Sequence, residues 1–157
     1  MTATPLPLPA HLDHAGIAAL VPHAGSMCLL ERLLSCDAER IRCEAGNHRR
    51  PDHPLRSASG LLASAAIEYA AQAMALHGAL LARAAGGTAR PGFLASARSV
   101  QWHRLRLDDL PGPLEVEAIR QAGDERQILY AFSVRHAGEP VAEGRAAVVL
   151  DTPLPLP

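Results

Sequence analysis

Two side chains that can exchange protons lie near each other in the stretch HRRPDHPLRSASGLLASAAIEYAAQAMALHGALLA, residues 48–82. His53 lies in its loop-like first part, and an imidazole titrates near neutrality. Glu68 lies in an almost continuously apolar run, where a carboxylate is costly unless it is paired or neutral. Ser64, Glu68 and Gln72 are spaced i, i+4, i+8, so they form one polar stripe on a helix. This combination is typical of general acid–base chemistry.

The residues alone leave other interpretations open. Glu68 can be a structural carboxylate bonded to nearby backbone, and His53 can be an ordinary loop histidine beside a proline. His48 precedes His53 by five positions and can take its role if the loop is drawn differently. His77 lies on the opposite side of the helix from Glu68 and is assigned to the core or an interface. The spacing of these histidines matches no recognised metal site, so no metal is predicted.

The element that carries Glu68 is predicted as one long helix from Gly60 to about Ala85. Its Ala, Leu, Met, Glu and Gln residues are strong helix formers, and it contains no proline. It is apolar nearly all round, which predicts burial on every side rather than an amphipathic surface helix. The glycines and the proline of AAGGTARPG end it.

The other elements are mainly strand-like. A short helix capped by Asp13 and stopped by Pro22 precedes two strands, which are joined by a turn near Asp37 and Ala38. After the long helix come four strand-like runs separated by turn signals: 93–107, 113–123, 126–138 and 140–150. The predicted architecture is α+β, an antiparallel sheet wrapped around one buried helix. The aromatic residues assigned to the core are Tyr69, Trp102, Tyr130 and Phe132, and DDLPG is interpreted as a turn.

Length and composition indicate one domain over residues 1–157, with Pro-rich tails at about 1–12 and 151–157. The formal net charge of −1 points neither to nucleic acid nor to an anionic membrane. A central acid argues against the long helix as a membrane span. The three cysteines, Cys28, Cys36 and Cys43, form no CxxC pair. Together with an N-terminus that lacks signal-peptide features, they predict a cytoplasmic protein.

Four segments resemble hotdog-fold 3-hydroxyacyl-ACP dehydratases over about residues 15–150. They are IAALVPHAGSMCLLERLLSCD, DHPLRSASGLLASAAIEYAAQAMA, LASARSVQWHRLRLDDLPGPLEVEAI and GEPVAEGRAAVVL. The elements LVPHAGSMCLLE, HPLR, EYAAQAMALHGALL and RPGFLAS are similar, more narrowly, to the small dehydratase-like proteins of aryl-polyene pigment clusters. Those proteins are thought to work alongside a second dehydratase-like chain. In the family, His23 of VPHAG corresponds to a position that is usually structural.

The resemblance implies a lyase that removes water from a 3-hydroxyacyl group held on the phosphopantetheine arm of an acyl carrier protein. His53 would be the base and Glu68 the acid, and in the family these two groups meet across a dimer interface. The N–H groups of Gly60 and Leu61 at the helix start would stabilise the thioester oxygen. Ser64 and Gln72 would line the substrate site. No metal or redox cofactor is implied.

Arginines near the predicted site are candidates for contact with the carrier protein, because carrier proteins are acidic and carry a phosphate. We assign this role to Arg56, Arg90 and Arg98, although each can equally belong to a solvated surface.

The loop departs from the family pattern. The usual His-Phe-Pro-Gly and Pro-Gly are replaced by HPLRSASG, and the His53–Glu68 spacing is one residue longer than usual. Two alternatives to an autonomous dehydratase therefore stay open. One is a non-catalytic hotdog subunit that pairs with an active paralogue. The other is an acyl thioesterase that uses Glu68 to activate water. The sequence does not distinguish a homodimer from a heterodimer.

Overall fold

The computed structural model describes residues 6–90 and 92–150. Within them the chain order is helix α1 (His14–Ala18), strands β1 (Arg32–Cys36) and β2 (Arg40–Ala45), helix α2 (Ala65–Ala84), and strands β3 (Gly92–Trp102), β4 (Leu114–Gly123), β5 (Gln127–His136) and β6 (Glu139–Leu150). Two short 3₁₀ turns, Gly25–Met27 and Asn47–Arg49, complete the set. The number, order and type of the predicted strands are confirmed.

One antiparallel sheet contains all six described strands, in the order β1-β2-β4-β5-β6-β3. Helix α2 packs on β2, β4 and β5. This is the predicted hotdog architecture, a sheet wrapped around one long helix. None of the described helices combines the length and the hydropathy needed to cross a membrane.

Local signals fix the start of α1 and the β1–β2 turn as predicted, but α1 ends at Ala18, before the Pro22 that was predicted to stop it. Asp13 caps α1 by accepting a hydrogen bond from the Gly16 N–H at 2.8 Å. In the β1–β2 turn, the Asp37 carboxylate accepts the N–H groups of Glu39 and Arg40 at 2.8 Å each. The tail prediction is only partly testable, because residues 1–5 and 151–157 lie outside the described residues. Leu6 is attached, since its N–H donates to the Ala84 carbonyl at 3.0 Å.

Helix α2 begins at Ala65 and not at Gly60, so the predicted start is wrong. Residues 61–63 instead pair with the segment after β3, because the Ala63 N–H donates to the Leu105 carbonyl and the Leu107 N–H to the Leu61 carbonyl. Gly60 adopts φ +94°, and a Cβ at this position would overlap the Arg106 and Asp108 side chains. The positive φ favours glycine there, and a larger residue would also have to displace the Arg106 and Asp108 side chains.

Helix α2 is also less buried than predicted. The sheet-facing side is buried, but a stripe along the other side is only half-buried in the single chain: Ile67, Ala71, Ala75, Gly78 and Ala82. These residues are small or aliphatic, so this side can be approached closely by another chain.

Strand β3 forms an edge of the sheet, and its only strand partner among the described residues is β6. The pairing is interrupted by a bulge between Arg98 and Gln101, where Ser99 has φ 52°. Gly144 lies opposite, and a Cβ there would come within 3.1 Å of the backbone at Arg98 and Val100. Any larger residue at position 144 would therefore have to shift the backbone of the bulge by a few tenths of an ångström.

Three of the four aromatic residues assigned to the core are buried: Tyr69, Tyr130 and Phe132. Trp102 is 44% exposed, so its assignment to the core is wrong for the single chain. It lies at the end of the edge strand, where no second strand covers it. Phe93, at the other end of β3, is 39% exposed.

His77 is a core residue, in agreement with its assignment. Its Nε2–H donates to the Asp37 carbonyl at 2.8 Å, and its Nδ1 accepts the Tyr130 hydroxyl at 2.8 Å. The carbonyl can only accept, which fixes this tautomer. One imidazole thus ties α2 to both the β1–β2 turn and strand β5.

We predict that Tyr130→Phe lowers the free energy of unfolding by about 1–3 kcal/mol, because it leaves Nδ1 of His77 buried without a donor. Urea unfolding at pH 7.5 measures the change. His103→Gln is the matched control, since His103 and Glu143 form an exposed pair, and it should change stability by less than about 0.5 kcal/mol. Equal effects of the two substitutions would contradict the buried link.

Candidate active site

A cavity of about 410 Å³ lies beside the loop that carries His53. Its lining includes Cys28, Glu31, Asn47, Arg50 and His53. Burial raises the pKa of the Cys28 thiol, which disfavours a nucleophilic thiolate there. The residues that line the cavity are therefore mostly polar.

His53 is almost completely buried, with 5% of its surface exposed, and both ring nitrogens are engaged by its own chain. Nδ1 accepts the Leu55 N–H at 3.1 Å, and Nε2 lies 2.9 Å from the Tyr69 hydroxyl. The Tyr69 hydroxyl donates to Oδ1 of Asn47, whose Nδ2 donates to the Leu29 carbonyl at 3.0 Å. His53 thus belongs to a hydrogen-bonded chain that crosses the interior.

The electrostatics of the loop favour a neutral imidazole. Burial lowers the pKa of His53, and the neighbouring His48, Arg50 and Arg56 lower it further, against an opposing effect of Asp52. His48, the rival candidate, is 1% exposed and its Nε2–H donates to the Leu110 carbonyl at 2.8 Å. Burial lowers the pKa of His48 as well.

Glu68 lies in a second polar cluster. Its Oε1 accepts Nε2–H of Gln72 at 3.0 Å and lies 3.1 Å from Nε2 of His23. The Glu68 side chain is 33% exposed, so this acid is not enclosed as the sequence predicted. Within the described residues Oε2 has no hydrogen-bond partner, which leaves that oxygen available to a ligand.

Gln72 is fully buried and holds the loop before β1 against the helix. Its Oε1 accepts the Leu29 N–H at 2.8 Å, and its Nε2 donates to the Met27 carbonyl at 2.7 Å as well as to Glu68. These three bonds make Gln72 a support of Glu68. Both N–H donors of Gln72 are engaged and the side chain is fully buried, so the predicted substrate contact by Gln72 has no free donor to use in this arrangement.

His23 is the member of this cluster that sequence reasoning missed. VPHAG marked it as a structural landmark, but no local signal placed it against an acid 45 positions further along the chain. Its Nδ1 is buried and unpartnered within the described part of the chain. Nδ1 of His48 is buried and unpartnered in the same way, whereas most buried polar atoms in proteins have a partner.

His53 and Glu68 do not meet within one chain. On α2, Tyr69 contacts His53, and Glu68 precedes Tyr69 by one residue. The side chains of Glu68 and Tyr69 therefore leave the helix about 100° apart. Each group has its own set of partners. Within the described residues, His53 and Glu68 therefore belong to two separate polar clusters.

The predicted oxyanion donors are placed differently from expectation. The Gly60 N–H donates to the Ser57 carbonyl at 3.0 Å, and the Leu61 N–H is bonded to the Asp108 carboxylate. Since α2 starts at Ala65, neither is a free N–H group of the helix start. Ser64 is exposed at the N-cap and makes no side-chain capping bond.

The DDLPG segment is more than the turn predicted from the sequence. Asp108 accepts both Nε and Nη2 of Arg106 at 2.7 Å and lies 3.4 Å from Nη2 of Arg56. The bond from Arg106 is the main cause that lowers the pKa of Asp108 to about 2. Arg56 is thereby held at the loop, and Arg90 and Arg98 are exposed.

Three buried histidines predict a loss of stability in mild acid. Burial lowers the pKa of His48, His53 and His77, so below the ordinary value of 6.5 the unfolded chain binds more protons than the folded one. The free energy of unfolding should fall as pH decreases from 7.5 to 5.0. Urea unfolding at both values measures it, and His77→Gln should reduce the difference. A constant or rising free energy towards pH 5.0 would contradict neutral buried histidines.

Comparison with solved structures supports the fold. The dehydratase heterocomplex ApeI:P from Xenorhabdus doucetiae matches with a TM-score of 0.78 and 19% identity, over 87% of this chain and 91% of that one. The thioesterase HI1161 from Haemophilus influenzae matches with a TM-score of 0.57 and 11% identity, over 95% and 94%. AziG from S. sahachiroi matches with a TM-score of 0.56 and 17% identity, over 83% and 97%.

Among curated proteins no relative matches. A family model does, and its match extends over residues 15–153, nearly the whole chain. It is the model of the ApeP-like family, described as ApeP dehydratase. This chain belongs to the ApeP-like dehydratase family.

Proposed function

We propose that this protein is one subunit of a two-chain dehydratase that converts 3-hydroxyacyl groups on an acyl carrier protein to 2-enoyl groups. In this reaction a C2–H bond and the C3–O bond break, a C2=C3 bond forms, and the proton and hydroxyl leave as water. The observation that carries the proposal is the position of Glu68. It is a partly exposed acid on the central helix of a dehydratase-family fold.

Glu68 suits the protonation of the departing hydroxyl. Gln72 fixes its Oε1 at 3.0 Å, which leaves Oε2 to face the substrate. His23, 3.1 Å from Oε1, restricts the same carboxyl group from the other side. A carboxyl group held in one orientation is what proton transfer to a positioned oxygen requires.

A second hotdog chain would complete the site. The solved heterocomplex ApeI:P is described as a dehydratase, and its fold matches this chain. Two features of the single chain are suited to such a partner: the half-buried stripe on α2 and the edge of β3 with exposed Phe93 and Trp102. Glu68 is on the same helix as the stripe, so a partner there would border the acid.

The proposed substrate is carried on the phosphopantetheine arm of an acyl carrier protein. Carrier proteins are acidic, and the arm carries a phosphate, so arginines at the surface are suitable contacts. Arg56, Arg90 and Arg98 keep this proposed role. Arg56 is the most constrained of the three, because Asp108 holds it at the loop that contains His53.

We expect the wild-type chain, co-purified with a second hotdog dehydratase-like protein of its own cell, to form enoyl product from a 3-hydroxyacyl carrier protein. Intact-protein mass spectrometry would show the loss of one water. Glu68→Gln should reduce the rate by about 10²–10⁴-fold, because it removes the proton donor but keeps the shape. Glu125→Gln, in an exposed turn, is the matched control and should leave the rate unchanged.

Two results would overturn this proposal. One is no product from a well-folded wild-type complex. The other is release of the free 3-hydroxy acid, which would assign the chain to thioester hydrolysis instead.

Substitutions on the β3 edge should weaken the two-chain complex. We expect Trp102→Ala and Phe93→Ala to raise the Kd by 10-fold or more, because large aromatic side chains dominate interface energies. Isothermal titration calorimetry measures this. Leu129→Ala, similarly exposed but on β5 inside the sheet, is the control. Unchanged affinity in both edge variants would place the interface elsewhere.

A further inference from the structure

The hydrogen-bonded chain through His53 has a fixed direction, because a backbone group ends it on each side. The Leu55 N–H can only donate, so Nδ1 of His53 is an acceptor at 3.1 Å. The Leu29 carbonyl can only accept, so Nδ2 of Asn47 is a donor and its Oδ1 an acceptor. The Tyr69 hydroxyl donates to that Oδ1 and therefore accepts from Nε2 of His53.

With the hydrogen bonds in this direction, His53 has no free lone pair and cannot act as a base. A neutral imidazole has one lone pair in its plane, and here that lone pair receives the Leu55 N–H. The other nitrogen carries its proton towards Tyr69. A base that removes a proton from C2 needs an unoccupied lone pair directed at the substrate.

The residues around His53 also oppose any change in the hydrogen bonds of its ring. Tyr69 is fully buried and His53 is 5% exposed, so neither can turn to solvent without opening the interior. Burial raises the pKa of Tyr69, which keeps the hydroxyl proton that Asn47 accepts. The chain is thus fully satisfied from end to end, and a satisfied buried network is rigid.

From this geometry we infer that His53 is a structural donor, and that this chain contributes the acid Glu68 but not the histidine base to the working dehydratase site. The inference rests on the proposed function and assigns the base to the second chain. In a pair of hotdog chains with two sites at the interface, only the site that contains Glu68 of this chain would turn over. This chain alone would form no enoyl product.

The tautomer of His53 tests the inference without any activity assay. The chain would be labelled with ¹⁵N, bound to its unlabelled partner, and measured at pH 7.5 by long-range ¹H–¹⁵N correlation. His53→Gln assigns the signals by their loss. We expect the Nε2–H tautomer with an unprotonated Nδ1. The Nδ1–H tautomer, or an imidazolium ring, would overturn the structural role.

The rate of the two-chain complex gives the second test. His53→Gln keeps an N–H that can donate towards Tyr69, but it cannot accept a proton from carbon. We expect a rate within about 3-fold of the wild type, whereas Glu68→Gln falls by about 100-fold or more. A loss of 100-fold or more in His53→Gln, at an unchanged melting temperature, would make His53 the base.

The two proposals fail in different ways. No enoyl product from the wild-type complex would refute the dehydratase itself. Product from the wild-type complex, together with a reversed tautomer or an inactive but stable His53→Gln complex, would refute only the division of roles. Enoyl product from this chain alone would refute that division as well.

Discussion

The buried amide of Gln72 is the interaction on which both the Glu68 cluster and the hydrogen-bonded chain through His53 depend. A fully buried amide must satisfy its donors and acceptor inside the protein, and Gln72 does so with the backbone of Met27 and Leu29 and with Glu68. Leu29 in turn accepts the Asn47 amide, which ends the hydrogen-bonded chain from His53. A single peptide segment before β1 therefore holds the acid on one side and the histidine on the other.

This arrangement explains why polar residues are tolerated in the central helix. Gln72 and His77 are buried and Glu68 is half-buried, yet each has partners on a different loop or strand. The helix thus contributes more than apolar surface to the core. Its polar side chains fix the positions of two loops against the helix, the loop before β1 and the β1–β2 turn. Apolar packing alone would fix these positions less specifically.

The sequence predicted the fold well because the fold is encoded locally. Alternating apolar and polar residues, turn residues and a run of helix formers each act within a few positions. The resemblance to the dehydratase family added support for the order of the helices and strands. The start of α2 was mispredicted because residues 61–63 pair with residues 105 and 107, a contact that no local pattern reveals. Likewise, the contact between His23 and Glu68 joins residues 45 positions apart, and Trp102 is exposed because β3 is an edge strand.

The bulge in β3 limits what can be added to that edge of the sheet. An edge strand has unpaired N–H and C=O groups with which an extended segment of another chain can form hydrogen bonds. A bulge in the edge strand disturbs the regular spacing of these groups and so opposes such pairing. Here the irregularity lies in the main chain, at Arg98–Gln101, and it is allowed by Gly144 on the neighbouring strand. Any chain that adds to this edge therefore has to match the shape of the backbone as well as the side chains around it.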